Sequence, residues 1–398
     1  MSDVGSLSQR PARARVESVD VLRGIVMILM ALDHTRDFFG TADNPANPPT
    51  ASAALFFTRW VTHLCAPTFF LLTGTGAYLA RGRRSTADLS RFLVTRGLWL
   101  ILLELTVVRC LGYQFNVDYR VTVLLILWAL GWSMIVLGGL VWFTPRSVTA
   151  FGAALVLLHN LCDPVSAQTF GPLAPLWSIL HAPGIVYPGP DHVVLVAYPL
   201  VPWIGVTALG YGLGQIFDWS AAARRGVLLA LSSGLPLLFL VHRWSNVYGD
   251  PARWTVQATP WRTVLSFLNT TKYPPSLLFL CMTLGPAMLV LLTLDRGTPR
   301  LLRPALTFGR VPLFYFLLHF PLIHLLAVLV CYAVYGDAHW MFQSAQLSDF
   351  PFSRPPGWGF SLPVVYGIWI SLVVSLYPLC RWFAAFKACR SDAWLSYL

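Results

Sequence analysis

Four ionisable side chains, Asp33, His34, Arg36 and Asp37, fall within five positions directly after the apolar run Gly24–Leu32. Groups of this kind at membrane depth are costly, turn inward and mark function. On a helix, Asp33 and Asp37 are four apart and share a face, and His34 and Asp37 are three apart and can meet. A carboxylate beside an imidazole fixes its tautomer and raises its basicity, which suits a general base or an acyl-accepting histidine. The competing reading is a capped helix end whose charges neutralise one another.

Further candidates lie in four other apolar stretches. His63 sits in FTRWVTHLCAPTFFLLTGTGAYLARG with Arg59 four residues before it on the same helical face. Glu104 is the only acid within LVTRGLWLILLELTVVRC, between Arg96 and Arg109. A lone acid there must find a partner, such as Arg36 or Arg109, or be protonated. His319 sits in GRVPLFYFLLHFPLIH, with His324 further along. There it contacts a cofactor, relays protons, or packs as an ordinary core histidine. Lys272, beside Tyr273 in FLNTTKYPPSLLFLCMTLGP, either binds an anion or rests among headgroups. The Gly74/Gly76 pair is expected to let two helices pack closely.

These residues need a scaffold, and composition names it. Of 398 residues, 56% are hydrophobic and only 11% charged, with a mean hydropathy of +0.62. Soluble chains carry about 25% charged residues. The expectation is an all-α, polytopic membrane bundle forming one domain at 19–386, with tails at 1–18 and 387–398. A span takes about 20 mostly apolar residues. About ten such stretches occur, at 20–39, 54–80, 92–111, 120–143, 147–162, 193–217, 225–243, 274–294, 306–335 and 361–385. Pro312 and Pro321 are expected to kink the ninth. The 173–184 stretch reads as a short re-entrant or interfacial helix.

Loop charges predict the topology. With the N-terminus inside, the inner loops carry Arg81, Arg83, Arg84, Arg91, Arg146, Arg224, Arg225, Arg296, Arg300 and Arg303. The outer ones carry Asp37, Asp43, Asp118, Asp163, Asp191, Asp250, Asp337 and Asp349. This matches the positive-inside rule, with the long 243–273 loop as the exception, and puts both termini in the cytoplasm. The long loops rich in Pro, Trp and Tyr (40–53, 163–192, 243–275 and 336–360) are all outer, so a site opening outward is expected.

The net charge of +11 is scattered between apolar stretches. It reads as topology determinants and lipid contacts, not as a nucleic-acid surface. The seven cysteines show no metal-ligand spacing, and no metal is expected. Cys65, Cys110 and Cys162 fall near outer ends, which leaves room for one disulfide.

The segments SVDVLRGIVMILMALDHTRDFF, HLCAPTFFLLTGTGAYLARG and FLVTRGLWLILLELT resemble the bacterial DUF1624 proteins, relatives of the heparan-alpha-glucosaminide N-acetyltransferase catalytic domain. FLNTTKYPPSLLFLCMTLGP and FGRVPLFYFLLHFPLIH fit the same family, so the resemblance covers most of residues 18–330. It implies a membrane-embedded acyltransferase of a bacterial inner membrane that takes an acetyl group from cytoplasmic acetyl-CoA. The acceptor would be an amino or hydroxyl group of an extracytoplasmic saccharide, with a cell-envelope glycan the natural choice. The resemblance also implies a catalytic histidine in the outer segment between the first two spans. This chain has none between residues 38 and 62; His34 and His63 flank the gap.

The expectation that follows makes His34 the base or acyl acceptor, oriented by Asp33 or Asp37. Arg36 and Arg59 would hold an anion or the developing oxyanion, and His63 and His319 would line the same cavity. Arg23 and Arg96 would meet the CoA phosphates, unless Arg23 pairs with Asp20. Lipids and the saccharide are the expected partners, and a homo-oligomer is left open. The main alternative is a proton-coupled transporter with Asp33, His34 and Glu104 as relay. Against it, the chain lacks the two matching halves of many transporters. A non-catalytic scaffold for envelope assembly is a third reading.

Overall fold

The computed structural model describes residues 16–41, 52–344, 346–390 and 392–397. Most of the expected N-terminal tail and of the 40–53 loop, Asp43 included, lies outside the described residues.

The chain is mostly helical. Helix α1 (Glu17–Phe39) is followed by α2 (Ala53–Thr62) and α3 (Cys65–Ala80), separated only by His63 and Leu64. Next come α4 (Thr86–Leu103), a π-helical continuation (Glu104–Tyr113), α5 (Ile126–Leu140), α6 (Pro145–Leu158), α7 (Ala174–Leu180) and α8 (Leu200–Leu213). The remainder is α9 (Ala221–Ser245), α10 (Pro260–Leu268), α11 (Leu277–Leu294), α12 (Arg303–Arg310), α13 (Pro312–Tyr335) and α14 (Leu362–Ala388). Among the described residues, six helical segments are long and apolar enough to cross a membrane, or seven if the sharply bent α6–α7 pair is one span. Helix α1, with its five charged residues from Asp20 to Asp37, is not among them.

The expected spans differ from these helices in three places. Strands β1 (Val121–Leu124) and β3 (Val193–Val196) occupy the starts of the stretches at 120–143 and 193–217. They form a three-stranded sheet with β2 (Gly184–Pro188), β1 lying parallel and β2 antiparallel to the central β3. VTVL and VVLV are β-branched runs that suit a strand, and hydropathy alone does not separate them from the helices that follow. The fold is therefore not all-α. The ninth stretch is two helices: the chain breaks at Val311, and Pro312 starts α13 where its missing N–H costs nothing. Pro321, by contrast, stays inside α13. The short helix expected at 173–184 is α7.

Helix α1 runs through the middle of the bundle and touches α2, α3, α11, α12, α13 and α14. Backbones approach closely where glycines allow it. A Cβ on Gly24 would lie 1.7 Å from the Ala305 carbonyl, which brings α12 against α1. One on Gly74 would lie 1.9 Å from the Thr207 carbonyl, which brings α8 against α3. Gly76 has no such neighbour; it faces the Arg23 guanidinium. Helices α9 and α14 bury few residues and leave apolar faces outward, as contact with hydrocarbon requires. All seven cysteines are free thiols, so the disulfide considered among Cys65, Cys110 and Cys162 does not form here.

Candidate active site

The end of α1 is held by one loop. A helix leaves its last carbonyls without intrahelical partners. Here Arg354 Nη2 donates to the Asp37 carbonyl (2.9 Å), Trp358 Nε1 to Phe38 (2.9 Å) and the Phe360 N–H to Phe39 (2.7 Å). The turn that carries Asp33, His34, Arg36 and Asp37 is thereby fixed to residues 354–360.

A second anchor places Lys272. Buried Arg243 donates to the carbonyls of Ala252, Ser266, Phe267 and Asn269 at 2.6–3.1 Å. Asp250 accepts from Thr271 N (3.0 Å), Thr271 Oγ1 (2.8 Å) and Ser276 Oγ (2.9 Å). Between these contacts the chain presents Lys272, only 10% exposed, with Nζ 4.0 Å from Asp33 Oδ2. Its ammonium also lies 5.2 Å from the Tyr273 ring centroid. Lys272 is thus an inward-facing partner of the α1 cluster and does not rest among headgroups.

Asp33 is the hub of that cluster. Its Oδ1 takes Arg36 Nη2 at 2.8 Å and the Thr62 hydroxyl at 2.8 Å. Arg36 Nη2 also reaches Asp37 Oδ1 at 2.7 Å. Neither carboxylate holds His34: both are engaged by Arg36, which corrects the expectation that Asp33 or Asp37 orients the imidazole. His63, at the α2–α3 break, is buried within electrostatic reach of Lys272, Arg59 and Asp33. Both its ring nitrogens, together with Arg36 Nη1 and Arg59 Nε, are buried without a hydrogen-bond partner among the described residues. Unpaired buried polar atoms are uncommon and need a reason.

The partner of His34 is His319. His34 Nδ1 lies 2.8 Å from His319 Nε2, and His319 Nδ1 lies 2.9 Å from the Tyr315 carbonyl. A carbonyl can only accept, so His319 Nδ1 carries a proton. Neutral His319 then accepts at Nε2, and His34 must donate from Nδ1. That leaves a lone pair on His34 Nε2. His319 is fully buried, whereas His34 is partly accessible.

A cavity of about 500 Å³ leads toward this pair. It is lined by the cations Arg23, Arg83, Arg96, Arg310 and Lys387 and one acid, Asp20. Arg23 Nη1 pairs with Asp20 at 2.8 Å, so the ion pair considered for Arg23 forms while its side chain also lines the cavity. Deeper in, the wall is apolar: Met27 and Met30 from α1, Leu100 from α4, Leu127 and Leu130 from α5, and Phe316 from α13. The lining residues of α1 and its N-cap Val16 recur at 16, 19/20, 23, 27 and 30, and the next turn of that stripe is Asp33/His34. On α13 the lining residues are 312, 313 and 316, and the next turn is His319. Phe316 lines the cavity and meets both imidazoles edge-on, 6.1 Å from His34 and 5.5 Å from His319.

Glu104 has neither of the partners considered for it. Arg36 is taken by Asp33 and Asp37, and Arg109 binds Asn116 and Asp118. Glu104 Oε2 instead accepts the N–H groups of Leu127 (2.8 Å) and Trp128 (3.4 Å) at the start of α5. A carboxylate suits a helix N-terminus, where free N–H groups and the dipole favour negative charge. His324 lies apart from His34, between the carbonyls of Gly112 (2.9 Å) and Met341 (2.7 Å).

The structure therefore gathers Asp33, Arg36, Asp37, Arg59, His63 and Lys272 on one side of α1 and pairs His34 with His319. Arg96 belongs to the cavity, and Glu104 caps α5. Sequence reasoning missed Thr62, Phe316 and Arg310. Their signal was present: each lies within a turn of a residue already singled out (His63, His319) or on a basic helix end. A further group, His159, Asp163 and His181, also escaped it, because its spacing matches no motif.

A search of the curated proteins matches no individual protein. The family model for the catalytic region of heparan-alpha-glucosaminide N-acetyltransferase matches residues 15–245, which hold Asp33, His34, Arg36, His63, Arg96 and Glu104. That match covers more than half of the chain, and the protein belongs to this family of acetyl-CoA-dependent membrane acetyltransferases.

Proposed function

We propose that the protein moves an acetyl group from acetyl-CoA, held in the basic cavity, to an amino or hydroxyl group of a saccharide on the opposite side of the membrane. The observation that carries this reading is the cavity itself: cationic at one end, apolar along its length, and pointed at a histidine with a free lone pair. Guanidinium groups suit phosphate oxygens. Lining residues 16 to 30, from the N-cap of α1 onward, span about 21 Å at ~1.5 Å per residue, a length that suits an extended pantetheine arm. The thioester would then arrive beside Phe316.

In this mechanism His34 Nε2 takes the proton of the acceptor amine or hydroxyl as that group attacks the thioester carbonyl. The C–S bond breaks, and the CoA thiolate leaves and is protonated. His319 stabilises the His34 imidazolium by accepting from Nδ1. Lys272 and Arg36 supply positive charge for the oxyanion, as a water-poor site favours. The unpaired donors of Arg36, Arg59 and His63 suit the hydroxyls of the saccharide.

Loop charges support the orientation. The cavity mouth shares its end with Arg83 and Lys387, in segments the positive-inside rule puts in the cytoplasm. Counting α2–α3, α4 with its π-helical extension and α12–α13 as single passes gives about ten crossings with both termini cytoplasmic. A bacterial inner membrane with an envelope glycan outside is the setting that fits. Labelled acetyl-CoA supplied to inside-out vesicles with mixed glycans tests the proposal. Label should pass to lumenal saccharide in vesicles with the protein. If label stays on CoA with every acceptor, or passes only to acceptors on the CoA side, the proposal fails.

A further inference from the structure

A second polar centre lies outside the His34 cluster. His159 begins the 3-10 turn after α6, Asp163 follows that turn, and His181 follows α7. One ligand atom from each of the three lies within 4.8 Å of the others. His181 Nε2 is 3.2 Å from Asp163 Oδ1, and both side chains are largely buried. His159 is only 4% exposed, and neither of its ring nitrogens makes a hydrogen bond of ordinary geometry. The Pro275 carbonyl is a further polar neighbour of the His159 ring. A buried imidazole facing an imidazole and a carboxylate without a bond to either is unusual.

We propose that His159, Asp163 and His181 bind one divalent transition-metal ion of the zinc class. Two imidazoles and one carboxylate are donors for Zn²⁺, Co²⁺ or Fe²⁺; Mg²⁺ and Ca²⁺ prefer oxygen alone. Tetrahedral coordination at about 2.0–2.1 Å places ligand atoms roughly 3.3 Å apart, so the group closes with small side-chain rotations. The outer partners of a metal site are present too. Asn160 Nδ2 holds Asp163 Oδ2 at 2.8 Å, which leaves Oδ1 for the ion. The Pro275 carbonyl is placed to take the proton on the non-ligating nitrogen of His159.

The location gives the ion a task. Asn160 Oδ1 also accepts the Leu277 N–H at 2.9 Å, and His159 faces Pro275. The metal would thus brace residues 275–277, which Asp250 also holds through Ser276 Oγ, and so hold the turn that carries Lys272. Its role is to position Lys272, since no ligand belongs to the Asp33 cluster.

The test uses tag-free full-length protein in detergent, stripped with a chelator and then given Zn²⁺ or Co²⁺ alone. The expected result is one ion per chain retained after desalting. X-ray absorption of the zinc form should show two imidazoles and an oxygen donor. His159→Ala and His181→Ala should each lose the ion. Wild type that retains no ion overturns the proposal, as does a metal shell without imidazole or a full equivalent retained by both variants. The absorption measurement needs wild type only, so variants that fail to fold do not shield the proposal.

Discussion

His34 Nδ1 and His319 Nε2 lie 2.8 Å apart, and the Tyr315 carbonyl behind His319 decides which of them donates. This short chain sets the tautomer of the accessible histidine. It also assigns His319 the orienting part that the sequence suggested for a neighbouring carboxylate.

Replacing His319 tests that assignment. A His319→Gln side chain can still offer an oxygen to His34 Nδ1, whereas His319→Ala offers nothing. Acetyl transfer should fall about 10²–10⁴-fold in His319→Ala and recover in part in His319→Gln. Because the second change restores orientation, the recovery should appear in kcat with KM for acetyl-CoA little altered. Equal loss in both variants would count against a positioning role.

The cavity cations make a separable prediction. Arg96→Gln and Arg310→Gln should each raise KM for acetyl-CoA about tenfold, corresponding to ~1.4 kcal/mol, with kcat nearly kept. The effect should shrink as salt rises, since partly exposed charges are screened. A change confined to kcat would place these residues elsewhere in the reaction.

Arg243 is the structural wager of the account. Its guanidinium satisfies four backbone carbonyls and neighbours Asp250 at 3.8 Å. Arg243→Ala removes every one of those donors and should cost about 3–5 kcal/mol, seen as a lower melting midpoint in detergent. Arg243→Lys should not restore it, because an ammonium cannot reproduce the planar fork.

Much of the architecture was legible in the chain, and the failures have physical causes. The apolar runs gave the bundle, and the charge cluster on α1 pointed to the site. Strands β1 and β3 were hidden because a β-branched run and the start of an apolar helix look alike to a hydropathy count. The partner of His34 was misread because sequence spacing reports neighbours on one helix, whereas His319 is 285 positions away. Glu104 was expected to need a cation, yet the open N–H groups of α5 serve it. The choice between Asp33, Asp37 and His319 needed the positions of Arg36 and Tyr315, which no local pattern contains.

Asp295, just past the end of α11, gives a pH prediction away from the site. Burial pushes its carboxyl up, but the hydrogen bonds and charges of Arg224 (2.6 Å) and Arg225 (3.0 Å) outweigh this and hold it below the usual range. A carboxyl lowered on folding stabilises above its unfolded value of about 3.9 and loses that contribution as pH falls through the folded value. Wild type should therefore melt higher than Asp295→Asn at neutral pH, and the gap should close only as the pH drops below about 4. A gap independent of pH down to that range would rule out the charge as its source.

The central claim is that His34 Nε2 is the base, and His63 is the control, since it is a second histidine near Asp33. The direct measurement is the rate of labelled acetyl transfer to saccharide in reconstituted vesicles carrying wild type, His34→Ala or His63→Ala at matched folded amounts. The expected result is a loss of about 10²–10⁴-fold for His34→Ala and a clearly smaller one for His63→Ala. Transfer by His34→Ala at the wild-type rate, or a loss found only in His63→Ala, would contradict it.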